Sequence, residues 1–154
     1  GAVSRSVHLP PGRWVAFPMP GAPAGSLGAS LDSFSGDVEV DAAVSEIPVF
    51  VPAGGIVPMT KDAALTLREV PGIERDLSST NGDRVVVVAL GAGGHFVEED
   101  GAEYVLEGEG VAVPSGAGAD GGVDVVGDDV INGEGFSLRL TGHPATRTTR
   151  ILFR

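Results

Sequence analysis

The chain of 154 residues has no cysteine, which excludes a disulfide framework, thiol catalysis and a Cys-ligated zinc site. The compartment stays open on this count, with an extracellular or periplasmic setting slightly favoured. Aromatics are scarce: one Trp, one Tyr and six Phe. Modules that bind glycans stack sugar faces on exposed Trp or Tyr, so Trp14 and Tyr104 are the candidate ligand-binding residues. They form a platform only if the fold brings them together, and a core or interface place for Trp14 is the plainer reading. Cations are few as well, 10 Lys and Arg against 21 Asp and Glu, for a net charge of −11. Such a chain repels phosphate backbones and anionic bilayers, which argues against nucleic acid and membrane as partners. No apolar run approaches transmembrane length, and the first residues carry no signal-peptide core. The sequence reads as an internal piece of a longer protein or as a mature product.

What is present is 42% hydrophobic residues, enough for a core, together with 24 Gly and 11 Pro. The glycines and prolines fall between short Val-rich runs, the distribution of an all-β chain with many turns. The expected fold is one or more antiparallel β-sandwiches with little or no helix. Val3 to Leu9 alternates and stops at Pro10-Pro11-Gly12; Arg13 to Phe17 is a second short strand, followed by a loop from Pro18 to Gly36. Asp37 to Asp41 alternates strictly, as a half-exposed strand does. Val49-Phe50-Val51 and Ile56-Val57 flank an Ala-Gly-Gly turn and read as a hairpin. Residues 61–70 favour a strand over a short helix. Arg84 to Leu90 is a continuous apolar run expected to be central and buried on both faces. Further strands are expected at His95–Glu98, Glu103–Leu106, Gly110–Val113, Val123–Val126, Phe136–Leu140 and Arg150–Phe153. A soft boundary near Thr60 divides residues 1–60 from 61–154, as two sandwich portions or one packed unit.

Charge is segregated. Between Gly91 and Gly135 there are eleven carboxylates and no Lys or Arg; from Phe136 onward there are four arginines, Arg139, Arg147, Arg150 and Arg154, and no acid. The simplest consequence is that the tail strand lies beside the acidic segment and neutralises part of it; a dedicated ligand patch is the sharper alternative. Gly116-Ala-Gly-Ala-Asp-Gly121 spells the dinucleotide string, but a strand-like run follows it where a helix is needed. Asp120, Asp124, Asp128 and Asp129 are weak calcium candidates whose spacing fits no EF-hand loop. His8, His95 and His143 follow no zinc-ligand spacing, and no Gly-x-Ser-x-Gly elbow exists. No cofactor is expected, and no catalytic residue is identified.

Two stretches carry a family resemblance. Val7-His-Leu-Pro-Pro-Gly-Arg-Trp14, continuing through Val40-Asp-Ala-Ala-Val-Ser-Glu-Ile-Pro48 to Pro58, resembles the segment after the catalytic barrel in glycoside hydrolase family 31, the α-glucosidases and α-xylosidases. Gly94-His-Phe-Val-Glu-Glu-Asp-Gly101 followed by Tyr104 is similar to that family's Phe-x-x-Tyr-Glu-Asp-Asp-Gly stretch, with Val97 where Tyr would stand. The resemblance implies the proximal and distal β-sandwiches of such an enzyme, over residues 3–60 and 85–110. The family's nucleophile lies in a Trp-x-Asp-Met-Asn-Glu type motif on its barrel. That motif is absent, and the chain is too short for an eight-stranded barrel of about 250 residues. The implied role is a non-catalytic accessory region with a catalytic barrel as partner. The alternatives are a stand-alone carbohydrate-binding or adhesion module, and an assembly domain that borrows a partner's strand at an open sheet edge.

Overall fold

A computed structural model describes residues 3–16, 30–42, 49–60 and 82–154. Among these there is no helix, and eleven strands form three sheets. The strands are β1 (Val3–Ala16), β2 (Ser30–Ala42), β3 (Phe50–Pro52), β4 (Ile56–Thr60), β5 (Arg84–Val88) and β6 (Gly94–Val97), then β7 (Glu103–Gly108), β8 (Gly122–Val126), β9 (Asp129–Gly133), β10 (Phe136–Thr141) and β11 (Thr148–Phe153). One four-stranded sheet has the order β6-β7-β10-β9 and a second has β4-β5-β11-β8. They face each other across a single core. Val86, Val88, Leu90, Ile151 and Phe153 come from one side, and Tyr104, Leu106, Ile131, Leu138 and Leu140 from the other. Burying an aliphatic or Phe side chain of this kind contributes about 1.5–3 kcal/mol. All pairings in the two sheets are antiparallel except β5 with β11.

The apolar run at β5 is buried on both faces, as its composition requires: Val86, Val87 and Val88 are each 0% exposed. Val86 and Val88 enter the sandwich core. On the opposite face, Ala89 and Val57 pack with Val15 and Val51 of the third sheet. That sheet has the order β2-β1-β3.

Four sequence expectations are corrected. The Pro10-Pro11-Gly12 step does not end the first strand: β1 runs from Val3 to Ala16 and shifts register between Leu9 and Trp14. Proline is tolerated where a ladder is broken by a bulge, because the missing N–H is then not called upon. The loop expected to reach Gly36 gives way to β2 at Ser30, because Leu31 and Phe34 pair with Trp14 and Gly12 of β1. The Ala-Gly-Gly turn is a corner between sheets rather than a hairpin. β3 pairs with β1, β4 pairs with β5, and the turn is laced to both: Ala53 N–H donates to the Arg13 carbonyl (2.9 Å), and Gly54 N–H to that of Ala89 (2.8 Å). Gly54 has φ +82°, and a Cβ on it would strike the Gly93 carbonyl, so the close approach of two backbones requires glycine here. Finally, Gly110–Val113 forms no strand. Gly110 makes one further bond to the Gly135 carbonyl (2.9 Å), after which the chain leaves the sheet with Val111 and Val113 exposed.

A strand not anticipated from the sequence, β9, forms a tight hairpin with β10 through Glu134-Gly135. Residues 61–70 lie outside the described residues. The boundary drawn at residue 60 falls between two strands of one sheet, with Ile56 opposite Val88 and Thr60 opposite Arg84.

Candidate functional site

Among the described residues, a dense set of ionisable side chains is built around the β6–β7 hairpin, whose turn is the acidic stretch Glu98-Glu99-Asp100-Gly101. The turn closes locally. Glu98 N–H donates to the Ala102 carbonyl (2.7 Å), Gly101 N–H to that of Glu98 (3.0 Å), and Ala102 N–H to Asp100 Oδ1 (3.1 Å). Gly101 supplies the left-handed conformation that the last step needs, with φ +89°.

From this turn the carboxylates reach both sheets. Arg84, at the start of β5, donates from Nε to Glu98 Oε2 (2.9 Å) and from Nη1 to the Gly82 carbonyl (2.7 Å). Tyr104 of β7 donates its hydroxyl to Glu98 Oε1 (2.6 Å). Arg147, in the segment between β10 and β11, donates from Nη2 to Asp100 Oδ2 and lies 3.7 Å from Glu98 Oε1. Two cations therefore meet two anions at one end of the sandwich. The Arg147 side chain is 0% exposed and that of Asp100 37%, so the cluster grades from core to surface.

His143 completes the group. Its ring stands edge-on to Tyr104, with centroids 4.7 Å apart. Nε2 faces the Glu103 carbonyl at 3.4 Å, and its backbone N–H donates to Asp128 Oδ1 at 2.8 Å. A carbonyl only accepts, so Nε2 carries the proton and Nδ1 is the lone-pair nitrogen.

The environment fixes the protonation states. Burial, and then the hydrogen bond to Glu98, push the Tyr104 phenol well above its usual range. Burial first, and also the neighbouring Arg147, lower the His143 imidazole below its ordinary value, outweighing the Glu103 carbonyl, Glu98 and Asp128. For Asp100 burial works against the charge. The hydrogen bonds from Arg147 and Ala102 and the charges of Arg147 and Arg84 together outweigh it, and hold the carboxyl below the usual range. The resting cluster is thus a neutral phenol, a neutral imidazole and paired ions. Such an assembly holds elements together: the Tyr104 hydroxyl and the Glu98 and Asp100 carboxylates are engaged by protein partners, while His143 Nδ1 has no hydrogen-bond partner among the described residues.

The aromatic candidates are not brought together. Tyr104 is 0% exposed, so its ring offers no face for stacking. Trp14 sits half-buried on β1 in another sheet, its indole N–H donating to the Pro10 carbonyl across the bulge (2.9 Å).

The four aspartates considered for calcium are also dispersed in role. Arg150 bridges Asp120 and Asp124, donating to each at 2.7 Å. Asp128 takes the His143 N–H, and Asp129 Oδ1 accepts from Val130 N–H (2.8 Å). Among the described residues no three His, Asp or Glu side chains are placed to share a metal ion. Gly116–Gly121 is a turn leading into β8, a strand as its sequence indicated. His8 and His95 pair on the surface with Asp37 (2.9 Å) and Glu103 (2.8 Å).

The segregation of charge proves to be pairing: Arg139 lies 3.9 Å from Glu107, Arg147 meets Asp100, and Arg150 meets Asp120 and Asp124. Arg154 donates to the Asp120 carbonyl (2.8 Å). The sequence did not reveal the roles of Arg84, His143 and Arg147; the acidic block facing a basic tail was a signal for Arg147 alone. No family model, curated protein or solved structure matches the chain.

Proposed function

We propose that the chain is a non-catalytic β-sandwich accessory region of a family 31-like α-glycosidase, whose work is to support a catalytic barrel carried on other polypeptide. One observation carries this reading: two of the three acids of the second resembling stretch are spent on architecture. Glu98 is taken by Arg84 and Tyr104, and Asp100 by Arg147. A retaining glycosidase needs one carboxylate free as nucleophile and a second carboxyl, about 5–5.5 Å away, able to hold and release a proton. A carboxylate clamped by a guanidinium is a poor nucleophile, and at Asp100 the pairing also opposes protonation. What such a turn supplies is rigidity between two sheets.

The test is hydrolysis of α-glucosides and α-xylosides by the purified chain. The expected rate is that of the buffer blank, and heat-labile hydrolysis would overturn the reading. Glycan binding that disappears in Trp14→Ala would favour the carbohydrate-binding alternative instead.

A further inference from the structure

We propose that His143 is an acid-sensitive latch: proton uptake at its Nδ1 separates the 142–147 segment from the Glu98–Gly101 turn while the sandwich core stays folded. The argument is a shortage of acceptors. His143 is 7% exposed, and its Nδ1 has no hydrogen-bond partner among the described residues. In the neutral ring that costs little, since a lone pair is left idle. In the cation the same atom becomes a buried N–H donor with nothing to receive it.

The groups around the ring are already committed. From β7 come the Glu103 carbonyl, facing Nε2, and the Tyr104 ring. Glu98, on the turn, has one oxygen on Tyr104 and the other on Arg84. Asp128, at the β8–β9 corner, holds the His143 backbone N–H through Oδ1. From its own segment comes Arg147, a buried cation whose Nε and Nη1 also lack hydrogen-bond partners among the described residues. The Glu103 carboxylate is engaged elsewhere, by His95 and Thr141. A protonated imidazole therefore adds charge and donors beside a guanidinium short of acceptors.

Release is local because of where these residues sit. The 142–147 segment joins two strands, and its ties to the rest are the polar ones just named, the bond from Arg147 Nη2 to Asp100, and the close approaches of Ala145 to Gly127 and of Gly142 to Gly101. The apolar core between the sheets contains none of them except Tyr104.

The experiment is amide hydrogen exchange at pH 7 and pH 5, corrected for the intrinsic rate, on the unmodified chain and on His143→Phe. Phenylalanine keeps a flat ring against Tyr104 and cannot titrate. In the unmodified chain, protection across residues 98–103 and 142–148 is expected to fall at least tenfold at pH 5 while β5 and β11 keep theirs. In His143→Phe it is expected to be the same at both pH values. Equal pH responses in the two proteins, no response in the unmodified chain, or loss in β5 and β11 at the same pH would each overturn the proposal. If His143→Phe does not fold, the ring of His143 is titrated by NMR in the unmodified chain. A midpoint below 6.5 that coincides with the loss of protection supports the latch, and any other midpoint contradicts it.

Discussion

Arg147 and Arg150 stand three residues apart, and each is placed between two carboxylates, yet they occupy opposite environments. Arg147 meets Asp100 and Glu98 with its side chain 0% exposed; Arg150 meets Asp120 and Asp124 with 36% exposed. The same chemistry therefore does different physical work. At the surface, water screens both charges, and the bond gains little over hydration. Inside, the Arg147 guanidinium has given up its hydration, so it depends on the carboxylates that meet it, although Asp100 itself stays 37% exposed. The buried cluster reaches β5, the β6–β7 turn and the segment before β11; the exposed one joins β11 to its neighbour β8 and to the turn that leads into β8.

The largest expected effect is on the buried side. Arg147→Ala empties a fully buried position and removes the hydrogen-bonded counter-ion of Asp100, and is expected to cost about 2–5 kcal/mol of unfolding free energy, the range for emptying a buried site, read from urea transitions. Next is Tyr104→Phe, which keeps the ring in the core and deletes only the hydroxyl held by Glu98. A hydrogen bond to a charged group predicts a loss of about 1.5–3 kcal/mol by the same measurement. A loss below about 0.5 kcal/mol would place that bond outside the network.

Acid sharpens the comparison further. The His143 value is lowered on folding, so the stability that depends on its neutral form is complete above the unfolded value of 6.5 and is lost as pH falls below it. The Asp100 value is also lowered, so its contribution is complete above the unfolded value of 3.8 and is lost below it, through the folded value. Urea midpoints measured against pH should thus fall in two stages, and Arg147→Ala should remove the Asp100 share of the lower one. The smallest effect belongs to the exposed cluster: Arg150→Ala is expected to change stability by about 0–1 kcal/mol, and the change should vanish in about 1 M salt.

The sequence made the strands legible where side-chain pattern and burial agree. The Val-Val-Val-Val run of β5 could be nothing but a strand covered on both faces, and the segments at β7, β8, β10 and β11 carried clear runs between glycine turns. It was less legible where backbone partners decide. Pro10-Pro11-Gly12 looks like a stop until a neighbouring strand absorbs the shift, and Ala53-Gly54-Gly55 looks like a hairpin until its two flanks are seen to pair in different sheets. Asp129-Val-Ile-Asn-Gly carries no clear strand pattern, because only Ile131 of its five residues is buried. For the site, charge segregation announced that tail arginines would meet upstream acids. Which of them would be buried was not readable, because Arg147 and Asp100 are 47 positions apart and only the topology joins them.

The most direct test of the claim that acids of the β6–β7 turn serve architecture by meeting a buried arginine is a pair of double-mutant cycles, one on Arg147 with Asp100 and one on Arg150 with Asp124. The coupling is expected to exceed about 1 kcal/mol for the first and to stay within about 0.5 kcal/mol for the second. Equal couplings, or a larger one at Arg150, would contradict it.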